Sequence, residues 1–324
     1  MSGGPSLFVE APARLHFGVL DLRGDLGRRF GGIGAAVPVP SLLVEARPAA
    51  ALGAAGPDAA RVLEFARRFA AHHRVDVPVH FTVHRAIPAH VGLGSGTQLA
   101  LAVARAAAEL SGLPIEPIAL AQAVGRGQRS GIGTWTFAHG GFVLEGGRGA
   151  GPAPVAPLLA RLPFPPAWRC VLAVPRGQPG LAGEEEAVAL ARLPPPSAGE
   201  VERVAHLVLM QLLPALVEAD LAGFGAALSQ IQEITGGWFA PVQGGVFAPG
   251  ETRALVERLR AWGAVGVGQS SWGPAVYGIV GDSGAAGALA ARVRGIVGAG
   301  GTVYDTAFTA AGVRVWRATA TVSA

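Results

Sequence analysis

The sequence contains no lysine and no asparagine, so all 26 of its basic residues are arginine. Schiff-base chemistry on a lysine is therefore excluded, and a phosphate group must be held by backbone amides, hydroxyl groups and arginines. The single cysteine, Cys170, lies in an apolar run and cannot form an internal disulfide. The net charge is only +4, and no basic stripe alternates with aromatic residues. These scarcities argue against a nucleic acid partner and favour a small anionic ligand.

Long hydrophobic runs are also missing, although half of the residues are hydrophobic. Arginine, proline or glycine interrupts each apolar run well before the roughly 20 residues that a membrane-spanning helix needs. We therefore expect no membrane partner. The first residues, Met1 to Pro5, have neither a basic start nor an apolar segment of the secretory type. Cytoplasmic localisation is the expectation that follows.

A length of 324 residues predicts two domains that share a cleft. Period-2 alternation predicts strands, and 3.6-residue spacing predicts helices. The predicted strands are 7–11, 14–20, 42–46, 77–85, 168–174, 275–280 and 302–307; the predicted helices are 57–74, 97–110, 183–193, 201–218, 221–234, 251–262 and 284–297. Residues 146–166 show little periodicity and are predicted to form a linker or a long loop, which divides the chain into domains 1–155 and 156–324. Strands and helices do not alternate regularly, so the predicted class is α+β.

The strongest local signal is a glycine-rich segment, 87–98, between a predicted strand and a predicted buried helix. Glycines 92, 94 and 96 allow the backbone to approach a ligand closely, and the following helix adds unpaired amides and the positive end of its dipole. The hydroxyl groups of Ser95 and Thr97 could reach a phosphate oxygen or a Mg²⁺ ion. The segment thus predicts an anion site; a plain turn before a packed helix is the alternative.

A second glycine-rich loop, 266–274, is unusually polar for its surroundings. Gln269, Ser270 and Ser271 supply hydrogen-bonding groups that we interpret as facing a ligand. A simple turn between strands is an equally good interpretation of this loop taken alone. Two such loops in one chain favour a shared cleft.

The segments 12–18, 88–98 and 266–274 resemble, in order and spacing, the three motifs of the GHMP superfamily of small-molecule kinases. More specifically, five segments resemble the β-ribofuranosylaminobenzene 5′-phosphate synthase family within it: 16–21, 27–34, 92–98, 125–133 and 268–273. The resemblance spans nearly the whole chain. It implies a two-domain GHMP-kinase-like fold, with a ribosomal-protein-S5-like N-terminal domain and a ferredoxin-like C-terminal domain.

The resemblance also implies an activity, namely a pentosyltransferase reaction of tetrahydromethanopterin biosynthesis. The enzyme would join 5-phosphoribosyl 1-diphosphate to 4-aminobenzoate or 4-hydroxybenzoate, with loss of CO₂ and diphosphate and formation of a C-riboside 5′-phosphate. Mg²⁺ would enter as the complex with the diphosphate substrate, no organic cofactor is expected, and the chain is expected to form a homodimer.

The residues matching these motifs are the predicted site. The catalytic candidates are His16, Arg126, Arg129 and Gln269. The candidates for binding substrate and phosphate are Arg14, Arg28, Gly92, Gly94, Ser95, Gly96, Thr97, Gln98, Ser270 and Ser271, with Ser95 and Thr97 also meeting phosphate-bound Mg²⁺. Each arginine could instead be an ordinary surface residue, and His16 a structural one. The acidic run 184–186 is interpreted as a solvated helix start, with assistance to Mg²⁺ as the weaker option.

One departure separates this chain from many GHMP kinases. Their corresponding turn ends in a carboxylate that acts on the substrate hydroxyl, whereas here Ser130, Gly131 and Ile132 are followed by Gly133. A phosphoryl-transfer enzyme would need another base, while a diphosphate-displacing enzyme would not need one at this position. An ATP-dependent small-molecule kinase and a non-catalytic phosphometabolite-binding protein remain the two alternatives.

Overall fold

The computed structural model describes residues 5–151, 153, 155–176, 180–181 and 183–318, which form two β-sheets and the helices packed on them. The first sheet has eight strands. They are β1 (Ser6–Asp21), β2 (Arg28–Pro48), β3 (Gly53–Ala55), β4 (Val79–Arg85), β5 (Phe142–Glu145), β6 (Arg148–Gly149), β7 (Leu158–Leu162) and β12 (Arg314–Ala318). Its main order is β12-β1-β2-β4-β3, and β5 and β6 also pair with β2.

The long antiparallel pair of β1 and β2 positions the first motif. Every second residue of β1 from Leu7 to Phe17 is fully buried in the core. Since successive side chains of a strand point to opposite faces, Arg14 and His16 share the other face. The register shifts between His16 and Gly18, which marks a bulge beside these two residues. The strands predicted at 7–11 and 14–20 are thus parts of one strand.

Four helices accompany the first sheet: α1 (Ala59–His73), α2 (Ser95–Ser111), α3 (Pro117–Ala123) and α4 (Ile132–His139). Helix α1 buries its apolar stripe of Val62, Phe65, Ala66 and Phe69, as its spacing predicts. Helix α2 is buried almost all round, which confirms that part of the sequence analysis. Packing on nearly all sides therefore holds α2 in place, together with the unpaired backbone amides at its N-terminus.

The second sheet is antiparallel, with the order β11-β8-β10-β9. Its strands are β8 (Arg169–Val174), β9 (Val265–Gln269), β10 (Val276–Val280) and β11 (Thr302–Ala307). Two helices, α9 (Glu251–Ala261) and α10 (Ser283–Val297), cover one face with Leu255, Leu259 and Val293 in a separate apolar cluster. Cys170 is buried in β8, as its apolar surroundings predict.

Helix α8 (Leu221–Gln243) lies between the two sheets and contacts both β1 and β9. Gly225 permits the close approach to β9, because a side chain there would collide with Val265. The helix extends nine residues beyond the predicted end at 234 and includes Pro241 near its C-terminus. No helix in the described part of the chain combines the length and hydropathy that a membrane span requires.

The remaining helical elements of the described residues are α5 (Gly183–Ala191), α6 (Ala198–Leu207), a π-helical turn (Val208–Leu212), α7 (Leu213–Val217) and a short 3-10 helix (Gly298–Gly300). The single helix predicted over 201–218 is therefore interrupted. Ser197 starts α6 with a capping box, in which its side chain accepts from the Glu200 amide and Glu200 bonds back.

The prediction of a linker or long loop at 146–166 is wrong. This segment contains β6 and β7, and β7 pairs with β5 in the first sheet. Strand β7 is short and only partly buried, so its sequence shows little alternation and its stability depends on the distant partner strand. Strand β12 also returns to the first sheet, where it pairs with β1. The division of the chain at 155/156 stays a prediction.

Candidate active site

The three glycine-containing motifs meet at the Ser270 side chain. Its hydroxyl group donates to the Gly92 carbonyl at 2.7 Å and accepts from the His16 amide at 3.0 Å. The Arg14 amide donates to the Leu93 carbonyl at 3.0 Å, which adds a second link between the first two motifs. Segments that are up to 254 residues apart thus form one site.

Gly92 and Ser270 support the site from inside. Ser270 is fully buried, and a side chain at Gly92 would collide with the Ser270 carbonyl. The Gly92 carbonyl also accepts from Arg14 Nη1 at 3.1 Å. The structure places both residues at a packed junction of backbone rather than on an open surface, although the sequence analysis predicts that they bind the ligand.

The start of α2 is open. Gly94 caps the helix in the left-handed region at φ +73°, and its carbonyl accepts from the amides of Thr97 and Gln98 at 3.0 Å. In the described part of the chain, no hydrogen bond involves the amides of Ser95 and Gly96 or the hydroxyl groups of Ser95 and Thr97. These donors converge at the positive end of the helix dipole and could bind a phosphate group.

Two arginines lie against this helix start. Arg61 Nη2 is 2.7 Å from the position that a Cβ at Gly96 would occupy, and Arg126 Nη2 is 3.5 Å from it. Arg61 also pairs with Asp58 at 3.2 Å. The Arg126 guanidinium lies over the Phe65 ring, 5.1 Å from its centroid, and its Nε is buried without a partner.

Arg126 keeps its charge in this crowded setting. Burial, followed by the neighbouring Arg61 and Arg68, lowers the pKa of Arg126 to about 10, so the guanidinium stays protonated at neutral pH. The concentration of positive charge at the start of α2 favours an anion. Arg61 is a functional candidate that sequence reasoning missed, because it lies on the amphipathic helix α1 and only the fold brings it to the glycine loop.

A pocket with a volume of about 110 Å³ opens to solvent on the Arg14 side of the glycine loop, and none of its lining residues belongs to that loop. It lies between β1, α5, α8 and the 269–272 loop. Its polar wall contains Arg14, His16, Arg129, Ser130, Glu186 and Ser271, and its apolar wall contains Leu22, Phe30, Phe239, Val246 and Trp272. The Phe239 and Trp272 rings contact each other edge to face, with 4.8 Å between their centroids. A ligand with an aromatic ring and an anionic group would match both walls.

Arg14 connects the pocket to the glycine loop. Its Nε lies 3.4 Å from the Cβ position of Gly94, and this Nε is buried without a partner. Burial lowers the pKa of Arg14 to about 10, and Glu186 partly opposes the shift, so Arg14 is a cation at neutral pH. Burial and then the Arg14 charge lower the pKa of His16 to about 3. His16 is therefore neutral in the unliganded protein and can exchange hydrogen bonds but contributes no positive charge.

Arg129 and Glu186 form an ion pair in the pocket wall, with 3.2 Å between Nη2 and Oε2. Arg129 also donates to the Gly183 carbonyl at 3.3 Å. The run 184–186 does start helix α5, and Glu184 and Glu185 are exposed, but Glu186 is half-buried and lines the pocket. A negatively charged ligand would compete with Glu186 for the Arg129 guanidinium.

Three other predicted residues form internal hydrogen bonds. Gln98 is fully buried and donates to the Gly133 carbonyl at 3.0 Å. Gln269 lines the pocket, and its side-chain oxygen accepts from the Ala248 amide at 2.8 Å. Arg28 donates to the carbonyls of Gly146 and Gly147 at 2.7 and 2.8 Å and does not line the pocket. These contacts would suit a supporting role.

A buried carboxyl group that sequence reasoning missed, Glu145, lies behind Ser130. It accepts from the amides of Gly131 and Gly147 at 3.2 Å. Burial raises the pKa of Glu145 to about 7, although these amides, Ser130 and Arg28 oppose the shift. No sequence signal distinguishes this glutamate, because it ends a short strand without a motif of its own.

The turn that carries a carboxylate in many GHMP kinases is closed here. A Cβ at Gly133 would lie 2.9 Å from Thr97 Cγ2, which is closer than real Cβ atoms approach. An acidic side chain at Gly133 would therefore displace Thr97. The described residues contain no group of three or more His, Cys, Asp and Glu side chains that could hold a metal ion by themselves.

Comparisons with known proteins identify the family of this chain. The family models described as "GHMP kinases N terminal domain" and "GHMP kinases C terminal" match residues 60–141 and 212–299. A protein of Methanothermobacter thermautotrophicus named β-ribofuranosylphenol 5′-phosphate synthase is 35% identical over 91% of this chain and 94% of its own length. The chain belongs to the β-ribofuranosylphenol 5′-phosphate synthase family. The protein of the same name from Archaeoglobus fulgidus is 36% identical, over 87% of this chain and 90% of its own.

Membership in the β-ribofuranosylphenol 5′-phosphate synthase family confirms the resemblance and identifies a pentosyltransferase-type enzyme. The solved homoserine kinase of Cytophaga hutchinsonii superposes with a TM-score of 0.71 at 17% identity, covering 98% of this chain and 99% of its own. At that identity the likeness concerns the fold alone, and it confirms the predicted two-domain GHMP-kinase-like α+β class.

Proposed function

We propose that the protein transfers the phosphoribosyl group of 5-phosphoribosyl 1-diphosphate to 4-hydroxybenzoate or 4-aminobenzoate, with release of CO₂ and diphosphate. The observation that carries the proposal is the position of Arg14, which lies between an open helix start flanked by arginines and a pocket with an aromatic wall. This arrangement would hold the two substrates side by side. The relatives are named for a ribofuranosylphenol, the product type that 4-hydroxybenzoate would give.

The diphosphate would bind at the start of α2. The free amides of Ser95 and Gly96 and the cations Arg61 and Arg126 would stabilise the negative charge that develops on departing diphosphate. Mg²⁺ would arrive with this substrate, and the hydroxyl groups of Ser95 and Thr97 could complete its shell. Asp58 already pairs with Arg61, so the bound anion would mainly balance the charge of Arg126.

The aromatic acid would occupy the pocket with its carboxylate towards Arg14. The ring carbon that carries the carboxylate would then face the anomeric carbon of the ribosyl group. This ring carbon attacks the anomeric carbon while the bond from the anomeric carbon to diphosphate breaks, and diphosphate leaves with the electron pair of that bond. The bond between the ring carbon and the carboxylate then breaks, so that CO₂ leaves and the electron pair of that bond restores the aromatic ring. Holding both reactants in this geometry is the main task of the protein.

The reaction is proposed to belong to tetrahydromethanopterin biosynthesis in the cytoplasm, with the chain as a homodimer. The decisive experiment measures CO₂ release from carboxyl-labelled 4-hydroxybenzoate and 4-aminobenzoate in parallel, with 5-phosphoribosyl 1-diphosphate, with and without Mg²⁺. The proposal predicts release that requires both substrates and is accompanied by diphosphate. Binding of both substrates without release of labelled CO₂ would contradict it.

A further inference from the structure

Three glutamines, Gln232, Gln243 and Gln269, line the pocket together with its aromatic residues. The Gln232 side-chain nitrogen donates to the Phe17 carbonyl at 2.6 Å, and its side-chain oxygen accepts from the backbone amide of Gln269 at 2.9 Å. Gln269 Nε2 donates to the Ser271 carbonyl at 3.0 Å and faces Gln243 Oε1 at 3.4 Å. Gln232 therefore holds the backbone at Gln269, and the Gln269 side chain contacts the Gln243 side chain.

Both hydrogens of the Gln243 amide group are already used. Gln243 Nε2 donates to the carbonyls of Gly245 and Val246, at 2.8 Å in each case. The reversed amide would place its oxygen against two carbonyl oxygens, so the hydrogen bonds determine the orientation. The Gln243 oxygen is left with a single long contact, and it is an acceptor with spare capacity.

The position of this acceptor follows from α8. Thr235, Phe239 and Gln243 are spaced four residues apart and line the pocket from one helix face. Gln243 lies 11 residues beyond Gln232, which contacts β1, so it is displaced by about 16 Å along the helix axis. Gln243 therefore lies one helical turn beyond Phe239, away from the level where Gln232 contacts Phe17 of β1.

We propose that the carbonyl oxygen of Gln243 recognises the para substituent of the aromatic acid by accepting its hydrogen bond. The inference rests on the proposed function, because it takes the pocket to hold a benzoate ring. A 4-hydroxyl and a 4-amino group can each donate a hydrogen, whereas unsubstituted benzoate has no such group and 4-methoxybenzoate has no hydrogen to donate. A fixed acceptor selects both natural types of ring against these analogues, since desolvating it without a donor is unfavourable.

The test compares four ligands by calorimetry: 4-hydroxybenzoate, 4-aminobenzoate, benzoate and 4-methoxybenzoate. Binding is measured with Mg²⁺ and inorganic diphosphate present, so that no turnover is needed. The wild-type protein is expected to bind 4-hydroxybenzoate and 4-aminobenzoate about three- to tenfold more tightly than benzoate and 4-methoxybenzoate, because one neutral hydrogen bond contributes an affinity difference of about this size. The Gln243→Met variant is expected to lose this preference while it binds benzoate as the wild type does.

Gln230→Met is the matched control, because Gln230 lies on the same helix and is exposed. It should keep the preference. Equal weakening of all four ligands by Gln243→Met would show that Gln243 only supports the 244–246 turn and would overturn the proposal, as would an unchanged preference. A wild-type protein that binds no aromatic acid, or that binds all four equally, overturns it as well. A donor preference that depends on Gln243 in a protein that releases no CO₂ would support the assignment and contradict only the proposed function.

Discussion

The Arg14 side chain packs against Gly94, with its Cβ 3.3 Å from the position that a Cβ at Gly94 would take. Gly94 also has φ +73°, so both its backbone and its surroundings disfavour a side chain. The contact couples the start of α2 to the pocket, and any atom added at Gly94 would move a guanidinium that serves both.

Gly94→Ala is therefore expected to weaken the binding of 5-phosphoribosyl 1-diphosphate by about tenfold or more, which corresponds to at least about 1.4 kcal/mol. Titration calorimetry measures the effect. Gly112→Ala is the matched control, because Gly112 ends the same helix at φ +64° with open space around it. Both variants should lose about 1–2 kcal/mol of stability through backbone strain, and only the first should lose affinity. Equal affinities would remove the phosphate site from the start of α2.

The arginine pair at Gly96 gives a second prediction. Arg61→Gln and Arg126→Gln should each weaken 5-phosphoribosyl 1-diphosphate binding by roughly 10- to 100-fold, since hydrogen bonds from charged groups contribute about 1.5–3 kcal/mol. The loss should shrink as ionic strength rises. Arg67→Gln, on the exposed face of α1, is the control that should change little. If all three variants behaved alike, the cluster would have only a general electrostatic effect.

Glu145 predicts a pH dependence of stability. Its pKa is about 7 in the folded protein and 4.5 as the ordinary value, so the native state binds the proton more tightly. Its contribution to stability is therefore full below pH 4.5 and is lost as pH rises through 7, by about 3 kcal/mol in total. Urea unfolding of the wild type and of Glu145→Gln at several pH values gives the difference between their free energies of unfolding. The stability of the variant should rise relative to that of the wild type between pH 5 and 8, and a difference that does not change with pH would contradict the prediction.

His16 should remain neutral in the unliganded protein. Because its pKa is about 3, its ring resonances should not titrate between pH 5 and 8 in NMR spectra. The same ring should titrate near its ordinary value of 6.5 when the protein is unfolded in urea, which serves as the reference. A native titration midpoint near 6.5 would mean that Arg14 and burial do not act on His16 as described.

The sequence predicts those features whose signal is local. The amphipathic stripe of α1, the buried helix α2 and the glycine loop before it follow from spacing and composition, and the family resemblance supplies the fold. Features that depend on contacts between distant segments of the chain are not predicted from the sequence. Strand β7 is stabilised by β5, and Arg61, Glu145 and Glu186 acquire their positions only when remote segments meet. The roles of Gly92 and Ser270 also depend on packing. A glycine that allows a ligand to approach and a glycine that allows another backbone segment to approach cannot be distinguished in a sequence.

The pairing of β12 with β1 has a consequence for biosynthesis. Strand β1 is synthesised before the second sheet, whereas its partner Arg314–Ala318 follows that whole sheet. Until then, one side of β1 has exposed backbone groups that could pair with another chain. The nascent protein is thus expected to depend on chaperones until β12 has been synthesised, and a premature stop before β12 should yield aggregates in place of a folded N-terminal half.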